Sequence, residues 1–448
     1  MASSLPEILE IIDTWSVRVV RFLYCDTSGI VRGKATAAGR LKSRVEGGIG
    51  LVKGMMAMNL LDQMQTATGF GATGEVRLVP DLSTFVVLPY APQAAAILCD
   101  MQELDRTPWK LCPRNVLKRQ IEQARRLGLS IEASFEPEFT LSVEEEGAIR
   151  PIDRSLCFST DGMNRAARFA NNFMDALERQ GIPVEQYYPE LGHGQHELSI
   201  GHAPALAAAD HHIWYRETLR GVAFNEGLEA SLTPKPFLDQ PGNGCHLHLS
   251  LWDSASRQNL FAAPGGLSEL GLHFVAGILE HLPALVALTC PSVNSYRRIQ
   301  PGSWSAAYIC WGYENREAAV RVPSTYWGQE EASTNLEIKC VDSSCNPYLA
   351  LAAVMAAGLD GVRRKLAPPA PVDADPGSMT PDKLSEKAIR RLPLTLKDAL
   401  EELKRSSLLQ DVLGEELLNT FFLVKLSEVR AFAEKDIEFE LVHHRNKF

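Results

Sequence analysis

Residues 17–36, VRVVRFLYCDTSGIVRGKAT, alternate apolar and polar positions, break at TSG, and resume the alternation. A period of two interrupted by a glycine turn predicts a β-hairpin. Residues 76–101 hold further short apolar runs broken by prolines, VRLVPDLSTFVVLPY and AAAILCDM. Residues 1–108 are therefore expected to form a small β-rich domain, with 109–448 as a larger second one. PRNVLKRQIEQARRLG then predicts a helix that opens at Pro113 and stops at Gly128. Beyond it strands and helices mix, without internal repeats. NPYLALAAVMAAGL reads as the longest apolar candidate, too short to cross a membrane and suited to a core helix. The Pro-rich stretch 366–381, LAPPAPVDADPGSMTP, predicts a surface loop between helices.

Composition narrows the class of partner. The 448 residues carry a formal net charge of -10, which disfavours a nucleic-acid surface. No membrane partner is expected, and MASSLPEILE lacks the basic-then-apolar pattern of a signal peptide. Nine cysteines without a CxxC pair suit reduced thiols in a cytoplasmic protein.

Strand parity raises the question of a metal. In EASFEPEFTL, Glu136 and Glu138 are two apart, so one strand face carries both. They lie either on a solvated face or around a cation. PELGHGQHELSI sets Glu190 and Glu197 on either side of a glycine-containing turn, and a hairpin would bring them to one end of a sheet. GNGCHLHLSLW puts His246 and His248 on one face, and NLEIKCVD does the same for Glu337 and Lys339. Charge repeated at period two in apolar strands is costly unless paired or metal-bound. Five carboxylates with one or two imidazoles suit Mg²⁺ or Mn²⁺, and their number points to two ions.

Residues 294–323, NSYRRIQPGSWSAAYICWGYENREAAVRVP, add Arg297, Arg298, Arg316 and Arg321, with only Glu314 and Glu317 among them. Arginines beside an acid-rich divalent site point to phosphoryl transfer from a nucleotide. No GxxxxGK[ST] loop is present, so the P-loop class is excluded.

EPEF, PELGHGQHE, PKP, GNGCHLHLSLW, NSYRR with its following PG, ENREAAVRVP and LEIK ahead of NPYLALAA stand in one order along the chain. On these motifs the chain resembles the glutamine synthetase family, of the bacterial type, over nearly its whole length. The resemblance implies an α+β architecture: a small N-terminal β-grasp domain and a catalytic domain built round a curved antiparallel sheet with surrounding helices. It also implies homo-oligomeric rings, as a rule dodecamers of two stacked hexamers, with each site shared between neighbours. The implied chemistry is ATP-dependent phosphorylation of the glutamate γ-carboxyl, followed by attack of ammonia or an amine.

Carried over residue by residue, the resemblance places Glu138, Glu190 and Glu197 on a first metal ion and Glu136, His246 and Glu337 on a second. It gives His248, Ser250 and Arg321 to ATP, Arg316 to the transferred phosphoryl group, and Arg298 with Gly242 to the acid substrate. Arg297 receives no role; in an extended chain it would face away from Arg298.

Departures from the family pattern are as informative. Where ammonia-using members have a glutamate that handles ammonium, this chain has Trp304. Their Asp- and Ser-bearing ammonium loop is GGIGLVKGMMAMN here. Pro241 and Lys339 replace an Asn and an Arg that help to hold glutamate, and Asn335 replaces an ATP-side Arg. No tyrosine follows Tyr348, so the family's adenylylation switch is not expected. The resemblance is thus to the γ-glutamyl-amine ligase branch, with Trp304 beside a bulky amine. An ammonia-using synthetase and a non-catalytic ring are the alternatives. Of the remaining residues, His211 and His212 suit structural or surface positions. His443 and His444 read as solvated, and the methionines at 55, 56 and 58 read as core.

Overall fold

The computed structural model describes residues 4–448. Strands Val19–Cys25 and Val31–Ala37 pair antiparallel with Cys25 opposite Val31, so the expected hairpin is present. They belong to a 6-stranded sheet whose other members lie between Ile49 and Gln102. Val19–Cys25 runs parallel to Ala94–Gln102, the strand at the middle of that sheet. Helix Pro113–Arg126 follows, with its proline in the first turn as anticipated.

The second sheet has 11 strands, and Leu129–Glu145 is its organising member, pairing with five others. This strand is amphipathic by parity. Phe135 and Phe139 are buried beneath helices, with Phe135 stacked on His212 and Phe139 against Phe169 and Phe173. The alternate positions Ser134, Glu136 and Glu138 point to the opposite, open face. Helices Ala167–Arg179 and Ala205–Asn225 cover the apolar side. Sequential pairing is antiparallel except between Tyr308–Tyr313 and Ala318–Val322, which run parallel. The chain is therefore α+β, with helices on one side of a largely antiparallel sheet and a polar face on the other.

One sequence expectation needs correcting. The longest apolar helix is Glu269–Thr289, not Pro347–Arg364; it is long and apolar enough to cross a membrane, and 67% of that apolar window is buried inside the protein. Interspersed Gly277 and polar His273 and His281 hid the run from simple inspection. The two helices pack against each other through glycine. A Cβ on Gly277 would come within 2.2 Å of the Ala357 carbonyl, and one on Gly361 within 2.1 Å of the His273 carbonyl. His444 is a second correction: it is 1 % exposed, packed against Phe432. A sequence window near a chain end carries no trace of such tertiary cover.

The two sheets are joined through buried charge. Arg114 donates to Asp210 at 3.0 and 2.8 Å, to Asp100 at 2.9 Å and to Asp81 at 2.8 Å. Tyr348 adds a hydrogen bond to Asp210. Helix Glu415–Ala433 forms a second joint, where Glu428 accepts from Ser28 and from the Leu60 backbone N–H, each at 2.9 Å. Met56 is fully buried there, in keeping with a core reading of that methionine.

Candidate active site

Three strands bring the predicted acids together. In the register, His246 lies opposite Glu136, and His248 lies opposite Glu337. Glu197 lies opposite Glu138, and Arg321 opposite Glu337. The residues that parity singled out thus share one face of the open side of the sheet.

At one end of this face, Glu136, His248 and Glu337 each offer a ligand atom, all within 4.8 Å of one another, a donor set able to hold a metal ion. His248 Nε2 is 3.2 Å from Glu136, and His246 Nδ1 is 3.2 Å from Glu337. Burial pushes the Glu136 carboxyl up, but hydrogen bonds from His246 and His248 outweigh it and hold it well below the usual range. For His248, burial acts downward but Glu136 outweighs it, lifting the imidazole to about 9. Burial and the Lys339 charge instead lower His246 to about 4. His246 is therefore neutral near pH 7, and its carboxylate contacts are not ion pairs.

Glu138, Glu190 and Glu197 make up the neighbouring group. Here burial meets too few cations. Glu138 is raised, first by burial. Glu190 rises to about 7 through burial and the Glu138 charge, and Glu197 is raised well above its ordinary value through burial and the charges of Glu136 and Glu138. Burial and mutual repulsion thus disfavour ionisation of all three carboxyls. Sequence reasoning missed two groups that orient them. Gln195 donates to Glu138 at 2.7 Å, and Tyr188 donates a short hydrogen bond to Glu197. Both were readable: Gln195 is two before Glu197, and Tyr188 lies opposite it in the hairpin.

The arginines separate. Arg298 is buried, donates to the Val341 carbonyl at 2.8 Å, and leaves its Nε without a partner. A Cβ on Gly244 would lie 3.0–3.1 Å from His246 Nε2, Arg298 Nη1 and Glu138 Oε1, so this glycine keeps open the point where those three converge. Gly242 is equally tight, packed on the Pro234 carbonyl and the Arg298 stem. Arg321 donates to Glu337 at 2.7 Å. Arg316 is exposed, makes no ion pair among the described residues, and its charge acts on Glu190. Arg297 is not in an extended chain: Ser295–Arg298 is a short helix, and Arg297 grips Glu440 at 2.6 and 2.7 Å.

Lys339 Nζ is 2 % exposed and lies 3.3 Å from Glu337 and 3.2 Å from His246. Ser250 accepts from the Trp252 indole at 2.8 Å. Beyond Ser250, Trp252, Arg257, Gln258, Asn259 and Glu330 line a cleft of about 440 Å³. Trp304 is 54% exposed, with φ 53° in the left-handed region.

A buried acid-and-imidazole face rimmed by arginines suits divalent cations together with anionic groups. Residues 110–443 match the family described as glutamine synthetase, catalytic domain, and residues 5–109 match the glutamine synthetase N-terminal domain. The chain belongs to the glutamine synthetase family, and it is an ATP-dependent carbon–nitrogen ligase of that family. Among curated relatives, it is 35% identical over 421 residues to the gamma-glutamylpolyamine synthetase GlnA3 of Streptomyces coelicolor, covering 92% of this chain and 90% of that one. It is 33% identical over 443 residues to the glutamine synthetase of Thermus thermophilus, covering 96% of each. Among solved structures, a novel glutamine synthase homolog superposes with TM-score 0.86 at 34% identity, over 96% of this chain and 99% of that one. A GmaS/ADP complex superposes with TM-score 0.85 at 28% identity, over 98% of each.

Proposed function

We propose that this protein joins an amine other than ammonia to the γ-carboxyl of glutamate, with ATP as co-substrate and γ-glutamyl phosphate as intermediate. The observation that carries the reading is Trp304. Ammonium is small and strongly hydrated, so its site should be anionic, whereas an exposed indole suits an alkyl chain with a cationic head. The gamma-glutamylpolyamine synthetase among the relatives supports the same direction.

The residues present fit divalent ions. Glu138, Glu190 and Glu197 would hold one Mg²⁺ or Mn²⁺, and Glu136, His246 and Glu337 a second, with His248 within reach of the latter set. Bound there, such ions would neutralise charge on the moving phosphoryl group. The protein's own groups do the rest. Arg298, with donors to spare, binds the acid substrate through its fork, beside Gly242 and with Lys339 as a point charge. Arg316, exposed and unpaired, reaches over the transferred phosphoryl group. His248, Ser250 and Arg321 line the path to the 440 Å³ cleft, which receives the nucleotide. The functional unit we propose is a dodecamer of stacked hexameric rings.

The test is phosphate release with ATP, Mg²⁺ or Mn²⁺ and glutamate across primary amines of increasing length and ammonium. At least one alkylamine should exceed ammonium in kcat/KM by about tenfold or more, the gain that one to two buried methylenes can give. Ammonium matching or exceeding every amine would return the enzyme to ordinary glutamine synthesis.

A further inference from the structure

Resting on that reading, we propose that Glu317 is the group that binds the ammonium head of the incoming amine and takes its proton. The glutamate missing at position 304 has thus been replaced by a carboxylate placed beneath the same loop.

The geometry begins with an unfinished hydrogen-bonding set. Glu317 is 6 % exposed. Its Oε1 accepts from the Trp304 backbone N–H at 2.8 Å, while its Oε2 is buried without any partner. Leaving a buried carboxylate oxygen bare is costly, and a catalytic or ligand-binding role is one reason such a group is kept. Burial raises its pKa, and the Trp304 N–H and, more weakly, the Lys339 charge only partly offset this.

Position puts that oxygen at the site. Arg321 lies opposite Glu337, and the Lys339 N–H donates to the Ala319 carbonyl. Glu317 directly precedes strand Ala318–Val322, and extending that strand's alternation by one residue carries it to the face of Arg321, Glu337 and Lys339. Glu317 is therefore tied to the loop that carries the indole, with the Lys339 ammonium near enough to act on it. The charged groups acting on it are Lys339 and, from the 375–377 turn, Asp375. That turn packs against Pro301 and Gly302 of the same loop.

The loop is built to hold this arrangement. Trp304 and Ala306 both adopt left-handed backbone, φ 53° and 59°, which a non-glycine residue sustains only when its surroundings demand it. The hydrogen bond from Trp304 to Glu317 is one such demand. It ties the backbone at Trp304 to the carboxylate; in the proposed complex the indole takes the alkyl chain and the carboxylate the charged nitrogen.

The proposed step balances as follows. The alkylammonium gives one proton to Oε2, and Glu317 becomes the neutral acid. The freed lone pair forms the C–N bond to the acyl carbon. The acyl C–O bond to phosphate breaks, and phosphate leaves with its electron pair. The nitrogen's second proton goes to the departing phosphate, and Glu317 returns its proton to water after release.

The experiment uses Glu317→Gln, which keeps an oxygen for the Trp304 N–H, with Glu317→Asp beside it. Two nucleophiles are compared near neutral pH, n-butylamine and hydroxylamine; hydroxylamine is a weak base and arrives already deprotonated. For E317Q, kcat/KM with n-butylamine should fall about 10²-fold or more, the usual worth of a general base, and hydroxylamine should change by no more than about threefold. The acid limb of the wild-type n-butylamine pH profile should disappear in E317Q. E317D should recover part of the n-butylamine rate. Equal losses with both nucleophiles, or no loss with either, would overturn the assignment of Glu317. A wild type that turns over hydroxylamine but no alkylamine at all would instead overturn the amine-ligase reading, and this assignment with it.

Discussion

Two clusters of buried charge, one around Arg114 and one on the open face of the large sheet, are balanced in opposite ways. Around Arg114, three aspartates from three segments close on a single guanidinium. Burial lowers the Arg114 pKa, but the aspartates, Asp210 first, outweigh it and raise it. On the open face of the large sheet, Glu138, Glu190 and Glu197 crowd together with little to neutralise them, and burial raises all three. One cluster is finished by the protein itself and holds two sheets together. The other has fewer cations of its own, and in the function proposed above a metal ion supplies the missing positive charge. Burial and net charge alone would not separate structure from function here; the state of the partners does.

The strongest challenge to this contrast is Arg114→Ala. It strands three aspartates, and breaking a buried ionic cluster from one side costs about 3–5 kcal/mol. Denaturant unfolding should show that loss, while the kcat of the folded fraction stays within a few-fold of wild type, since Arg114 touches none of the site residues. A large fall in kcat with unchanged stability would dissolve the distinction between the two clusters.

The converse test adds what the second cluster lacks. Mn²⁺ or Mg²⁺ at about a hundred times its Kd should stabilise the protein by about 2.7 kcal/mol through binding to the folded state alone. Chelation should reverse the shift, read as a change in thermal midpoint. Arg114→Met, if it folds, should keep the full metal response. A wild type indifferent to both metals and chelator would leave the raised carboxyls without the role assigned to them.

The sequence made one side of the comparison far easier to see than the other. Period-two acids and histidines in apolar strands mark a shared face before any pairing is known, and the register then joins those faces as expected. The Arg114 cluster was invisible because its partners lie 14, 33 and 96 residues away, in segments with no common pattern. Glu317 was visible only as one of two acids among four arginines. Its significance needed the Trp304 N–H, thirteen residues back, and an empty oxygen. Arg297 was rightly set apart from Arg298, but for the wrong local reason: consecutive residues diverge on a helical turn as surely as on a strand.

That separation gives the smallest and most discriminating prediction. Arg297 carries the same chemistry as Arg298, one residue away, yet 43% of its side chain is exposed and it turns Nε and Nη2 onto Glu440 as a bidentate fork. Glu440 is also held by Asn294 at 3.0 Å, so losing the arginine leaves the carboxylate one partner. Arg297→Ala should therefore cost only about 1 kcal/mol, in the upper part of the range for partly exposed pairs. KM for glutamate should not move. Arg298→Ala should raise that KM sharply, because Arg298 anchors only one nitrogen, on backbone carbonyls, and keeps its Nε unpaired and Nη1 beside Gly244 free for the substrate. If R297A and R298A shift the glutamate KM alike, then the two arginines act as one anion patch. The rule used throughout, that completed partners mark structure and open valences mark the site, would then fail at the position where it is easiest to check.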